Sequence, residues 1–159
     1  PGIQGGRKPG PYKWYEIQDS TEYWTEFERP KIIYPDIAQG SEFAFDRDGY
    51  MLGNTLYLLP TEETWLLGLL NSKSVFWFYT KVSSQIRGGF VRFIAEYVAQ
   101  IPVPSQTNHK DVERIVAKIL RARKDDPSAN VSGLEREIDE RVYRLYGLTK
   151  DEIAIIEGS

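Results

Sequence analysis

NTLYLLPTEETWLLGLL, residues 54–70, changes its period half-way. Asn54 to Leu59 is a short apolar run that reads as a strand, and Pro60 ends it. Thr61 then stands where a helix N-cap would, and Glu62 and Glu63 suit the positive end of a helix dipole. Leu66, Leu67 and Leu70 fall on one helical face. The switch at Pro60 divides the whole chain.

Towards the N-terminus the signals are those of strands. Glu42 to Asp46 alternates, and Asp48-Gly49 is a hairpin signal leading into Tyr50-Met51-Leu52. Lys31 to Ile37 is β-branched, and Pro35 points to an edge or a bulge because it donates nothing to a ladder. Tyr12 to Ile17 is aromatic and partly alternating, a further strand. Residues 1–11 are rich in Gly and Pro, without an initiator Met or the apolar centre of a signal peptide. They read as a linker or a cut remnant, and the chain as a piece of something larger.

Towards the C-terminus helices take over. The first pauses near Asn71-Ser72 and resumes through Val75 to Tyr79. Phe90 to Phe93 alternates like a strand, and Gln100 to Pro104 is extended because each proline restricts its predecessor. Val112, Ile115, Val116, Ile119 and Leu120 then make a helical stripe. Asp125 to Asn130 is a loop, and Ser132 to Glu135 has the pattern of a capping box. Leu134, Ile138, Val142 and Leu145 continue the stripe until Gly147 stops it. Thr149 to Glu152 is a second capping box. The expected fold is therefore α+β: a β-rich body with one or two packed helices over residues 12–104, then an antiparallel helical hairpin over 105–159.

The chain has 159 residues, 41% of them hydrophobic, which suits a folded domain rather than a disordered one. It has no cysteine, which removes disulfides and thiolate metal sites and points to a reducing cytoplasm. No apolar run approaches a membrane span. Catalytic constellations are missing too. The single histidine, His109, reads as a capping or surface residue and offers no zinc site without companions. Asp46-Arg47-Asp48-Gly49 starts like a calcium loop but lacks the later ligands, so turn chemistry explains it. The glycine groups match no nucleotide-binding fingerprint. These residues suit recognition better than catalysis.

Charge sharpens that reading. The net charge of −3 discourages a polyanion partner, yet Thr64 to Ala95 holds Lys73, Lys81, Arg87 and Arg92 and no acid. At its heart is SSQIRGGFVRF, residues 83–93. Two readings compete. In one, Gly88-Gly89 is a turn before a strand, Phe90 and Phe93 pack inward, and the arginines are solvated. In the other, the glycines let a polyanion approach the backbone, and Ser84, Gln85, Arg87 and Arg92 reach phosphates or base edges.

The ordered set WYEI (14–17), PKIIYPDI (30–37), FDRDGY (45–50), LLGLLNSK (66–73), GGFVRF (88–93) and QIPVP (100–104) resembles one family. It is similar to the C-terminal target-recognition (specificity) domain of TaqI-type adenine-N6 DNA methyltransferases, which also occurs in Type IIG restriction–modification enzymes. The resemblance implies a domain that clamps double-stranded DNA and reads bases in the major groove. An upstream catalytic domain of the same polypeptide would bind S-adenosylmethionine and methylate an adenine flipped from the stack. That domain's Asn-Pro-Pro-Tyr motif does not occur here, so no methyl transfer is expected from this chain itself. Arg87, Gly88, Gly89 and Arg92 are the leading DNA-facing candidates, with Ser84 and Gln85 beside them. Lys31, Arg47, Lys73 and Lys81 follow as phosphate contacts. Asn71 and Ser72 are expected to end a helix, and Trp14, Trp65 and Trp77 to lie in the core. The alternative is an assembly module in which the C-terminal helices bind a protein partner or a second copy.

Overall fold

A computed structural model describes residues 9–17, 22–105 and 109–158. After a 3-10 helix (Glu22–Phe27) come β1 (Lys31–Pro35), β2 (Ile37–Ala38), β3 (Ala44–Asp46) and β4 (Leu56–Pro60). Then follow α1 (Thr64–Leu70), α2 (Lys73–Val82), β5 (Gln85–Ile86), β6 (Phe90–Arg92) and α3 (Ala95–Val98). α4 (Lys110–Asp125), α5 (Ser132–Leu145) and α6 (Lys150–Glu157) complete the chain. The class is α+β, as expected, with more helix than strand.

The strands form two small antiparallel sheets, ordered β3-β1-β4 and β2-β6-β5. One residue joins them. Asp36 donates its N–H to the Thr55 carbonyl at 2.9 Å in the first sheet, and its own carbonyl accepts the Phe93 N–H at 2.7 Å in the second. Pro35 is on a central strand, not an edge, but lies past Ile33, the last residue paired with β3, so its missing donor is not needed there. Aromatic rings bind the two sheets to α2. Tyr34 meets Phe43 at 5.1 Å, Phe43 meets Phe93 at 5.6 Å, and Phe93 stacks on Tyr79 at 4.4 Å.

The C-terminal helices are not a separate body. Val112, Val116 and Ile138 share one buried core with Leu67, Tyr79 and Ile32. Gly68 marks the tightest crossing: a Cβ there would stand 2.8 Å from Val116 Cγ2 and 2.9 Å from Val112 Cγ1. Polar side chains fasten the same layer. Asp139 of α5 accepts the Lys73 N–H at the start of α2 at 2.8 Å, and Ser72 caps that helix by accepting from Val75. Glu157 of α6 takes the Lys73 ammonium and the Tyr143 hydroxyl, each at 2.6 Å.

Several expected elements take another form. Tyr12 to Ile17 is a turn rather than a strand, and Trp14 is 84% exposed rather than in the core. Tyr50 to Leu52 makes no strand. The Asp46 carboxylate instead accepts the amides of Asp48 and Tyr50, with Gly49 at φ +76°, closing a side-chain turn in place of a hairpin. Helix α1 begins at Thr64 with Glu63, not Thr61, as its N-cap, while the Thr61 hydroxyl accepts the Glu63 amide ahead of the helix. The capping box at Ser132 does not form, since Val131 is the N-cap and Asn130 accepts the Ser132 amide. The box at Thr149 and Glu152 does form. Gly147, at φ +65°, ends α5 as its amide and that of Leu148 return to the carbonyls of Arg144 and Tyr143. The linker expected at residues 1–11 falls mostly outside the described residues.

Candidate nucleic-acid interface

The SSQIRGGFVRF stretch is a β-hairpin. Gln85 pairs with Val91 and Ile86 with Phe90, leaving Arg87-Gly88-Gly89 as a three-residue loop. Both glycines have positive φ, +91° and +80°, so the turn alone accounts for the pair. No atom lies within 4 Å of a Cβ built at Gly89, which leaves that backbone open to approach. Gln39 steadies the loop by donating to the Gly88 carbonyl at 3.1 Å. At the base, Gln85 Nε2 donates to the Thr80 carbonyl, and the Ser84 and Tyr97 hydroxyls share a hydrogen bond of 2.8 Å.

Alternation decides which side chains face out. Val91 and Phe93 are buried, while Phe90 and Arg92 are exposed. Phe90 therefore does not pack inward as the structural reading required. Ile37, opposite Arg92, and Ile86, opposite Phe90, are exposed on the same face. The β2-β6-β5 sheet thus shows an apolar face carrying one arginine. Residue composition gave no sign of it, because the pairing joins segments more than 50 residues apart.

The ten candidates do not share one surface. Lys81, Ser84, Gln85, Arg87, Gly88, Gly89 and Arg92 gather around the end of α2 and the hairpin that follows. Lys73 lies at the opposite end of α2, tied to Glu157. Arg47 follows β3 in the other sheet, its guanidinium 5.1 Å from the centre of the Phe45 ring. Lys31 corrects an expectation outright. Its side chain is fully buried, ion-paired with Asp46 and donating to the Phe27 carbonyl at 2.6 Å, so no phosphate can reach it.

The acid-free stretch is not acid-free in space. Asp36 accepts from Arg92 Nη2 at 2.9 Å, and Glu157 takes Lys73. The Asp36 hydrogen bonds and charge hold the Arg92 guanidinium more firmly protonated than an arginine in water. Lys81 and Arg87 have no carboxylate partner among the described residues; Lys81 sits 5.2 Å from the centre of the Trp77 ring. His109 stacks flat on Trp65 with 3.5 Å between centroids and caps nothing with its side chain. Asn71 does more than end α1: it exchanges hydrogen bonds with the backbone of Phe43, holding the segment before β3 to the helix. Among the described residues no group of three or more His, Asp and Glu gathers to hold a metal.

The hairpin follows a two-part helix, and its β6 strand pairs with β2 at the end of the PKIIYPDI segment. The family model of the TaqI-like C-terminal specificity domain matches residues 7–103. The chain belongs to this family. Among curated proteins, the Type II methyltransferase M.XhoI of Xanthomonas vasicola is 29% identical over 153 residues, covering 94% of this chain and 26% of that protein. The Type II methyltransferase M.PaeR7I of Pseudomonas aeruginosa is 28% identical over 156 residues, covering 96% of this chain and 25% of that protein. Alignments of that extent take in α4 and α5, so the likeness to these methyltransferases reaches beyond the specificity-domain match. The chain spans about a quarter of the length of these relatives. No described helix is long and apolar enough to cross a membrane.

Proposed function

We propose that this chain is the DNA sequence-recognition domain of an adenine-N6 methyltransferase from a restriction–modification system. It binds double-stranded DNA and positions it for an upstream catalytic domain of the same polypeptide. S-adenosylmethionine belongs to that catalytic domain, and this chain transfers no methyl group by itself. A bacterial cytoplasm is the setting. The observation that carries the reading is the exposed hairpin of a TaqI-like specificity domain, with Arg87 at its tip and Lys81 at its root, neither with a carboxylate partner among the described residues.

Their roles differ by position. Arg87 stands on a loop whose two glycines leave the backbone accessible, so it can follow a groove or a phosphate. Lys81, a compact charge at the helix end, suits a phosphate. Lys73 and Lys31 have no part in it. Titration of the chain with random-sequence duplex at low and at physiological salt tests the proposal. Binding should weaken steeply as salt rises, because each phosphate contact releases a counterion. No binding at low salt, or binding indifferent to salt, would overturn it.

A further inference from the structure

We propose that Arg92 reads a guanine from the exposed face of the β2-β6-β5 sheet, and that Asp36 is the residue that positions it. The inference rests on the DNA reading above and names the chemistry of one contact.

Both backbones are fixed. Arg92 lies on the central strand of its sheet, its N–H donated to the Ser84 carbonyl at 3.2 Å and its carbonyl accepting the buried Tyr79 hydroxyl at 2.5 Å. Asp36 is pinned from both sheets, as described. Between them, Asp36 Oδ1 accepts from Arg92 Nε at 3.3 Å and Nη2 at 3.2 Å, and Oδ2 accepts from Nη2 at 2.9 Å. These contacts occupy the lateral edge of the guanidinium. Nη1 and the outer hydrogen of Nη2 form the opposite fork, which has no partner among the described residues, and the side chain is 45% exposed. Two parallel N–H groups in a fixed plane match the O6 and N7 acceptors of guanine.

A phosphate contact fits less well. Asp36 cancels the net charge of Arg92, so the pair adds little to a non-specific attraction that depends on charge; what it keeps is directional donors. Its neighbours on the face are Ile37, Phe90 and Ile86, which suit base edges and thymine methyls rather than hydrated phosphates. The buttress also holds one rotamer of a side chain that would otherwise lose much freedom on binding.

The test is selection from a pool of duplexes with a randomised central segment, using this chain, Arg92→Ala, Arg92→Lys and Asp36→Asn, with thermal melts to confirm folding. The unaltered chain should enrich a G·C pair at a fixed position. Both arginine variants should lose that preference about tenfold while other positions hold. Asp36→Asn should weaken the same preference while raising affinity for all duplexes, since a negative charge has gone. Should Asp36→Asn fail to fold, Asp36→Glu, which moves the carboxylate by one methylene, should blunt the preference at that position alone. Arg92→Ala that lowers affinity for every duplex alike and reduces the salt slope by about one would make Arg92 a phosphate contact and overturn the inference. Selection unchanged by Arg92→Ala would also overturn it, leaving DNA binding intact and this face to a protein partner. Arginine variants that lose the preference beside aspartate variants that keep it would remove the role of Asp36. A chain that binds no duplex at low salt takes both readings down together.

Discussion

Each of the two sheets sets a cation beside an aspartate, with opposite results. Lys31 and Asp46 are buried at one end of β1, their side chains 0% and 3% exposed. Arg92 and Asp36 meet at the other end, just past β1, 45% and 23% exposed. In the first pair every donor is turned inward, and the carboxylate also holds the Asp48–Tyr50 turn. In the second, one fork of the guanidinium remains presented to solvent. Residue type does not separate the two pairs here; what separates them is whether donors still reach solvent once the aspartate is satisfied.

The strongest way to break this contrast is at Lys31. Lys31→Ala leaves Asp46 buried without its counter-charge, which should cost about 3–5 kcal/mol in urea unfolding. Loss of less than about 1 kcal/mol would show that the pair is not buried in solution. Burial alone would raise the Asp46 carboxyl, but the Lys31 hydrogen bond, the Asp48 and Tyr50 amides and the Lys31 charge outweigh it and hold it below the usual range. A folded carboxyl held below its unfolded value of about 4 contributes stability above that pH. The contribution is lost as pH falls through the folded value. Asp46→Asn should therefore be less stable than the unaltered chain at neutral pH, and the gap should narrow with acidification below about pH 4. A gap that widens there would reverse the assigned shift.

Next in size is the helical layer. Gly68→Leu drives a side chain into Val112, Val116 and Ile138 and should cost about 1–3 kcal/mol through overpacking. Gly68→Ala should cost less, because its own clash is offset by about 1 kcal/mol of helix propensity. A stabilised Gly68→Leu would mean that α4 and α5 stand off α1, as an assembly module for a partner would have them.

Much of this architecture was legible before any coordinates. The change at Pro60, the pause at Asn71-Ser72, the strand at Phe90–Phe93 and the α4–α5 stripes all follow from period, and period is a local property. The failures share a cause. Tyr12–Ile17 has strand composition without a strand, and no strand among the described residues pairs with it. Lys31 looks like a surface cation because Asp46, its partner, is 15 residues away and only β1–β3 pairing brings the two together. The acid-free window misled in the same way: acids from 36 and 157 enter it through the fold. The hairpin glycines were legible as a turn, but not the exposed face beside them, since strand alternation fixes two sides without saying which one the core takes.

The mildest effects lie among the four cations of the window, and they sharpen the line between recognition and structure. Arg87→Ala, on a solvated loop, should leave stability within about 0.5 kcal/mol, as surface changes generally do. It should weaken duplex binding alike for all sequences, if Arg87 meets phosphate, and lower the salt slope by about one. Lys73→Ala should do the reverse. Its ammonium is committed to Glu157 on α6, so duplex affinity and salt slope should hold while stability falls by no more than about 1 kcal/mol, the usual worth of an exposed pair. Glu157 keeps the Tyr143 hydroxyl in that variant, so α6 should stay docked. Equal losses of DNA affinity in the two variants would extend the interface along the whole length of α2 and merge the two regions that the structure holds apart.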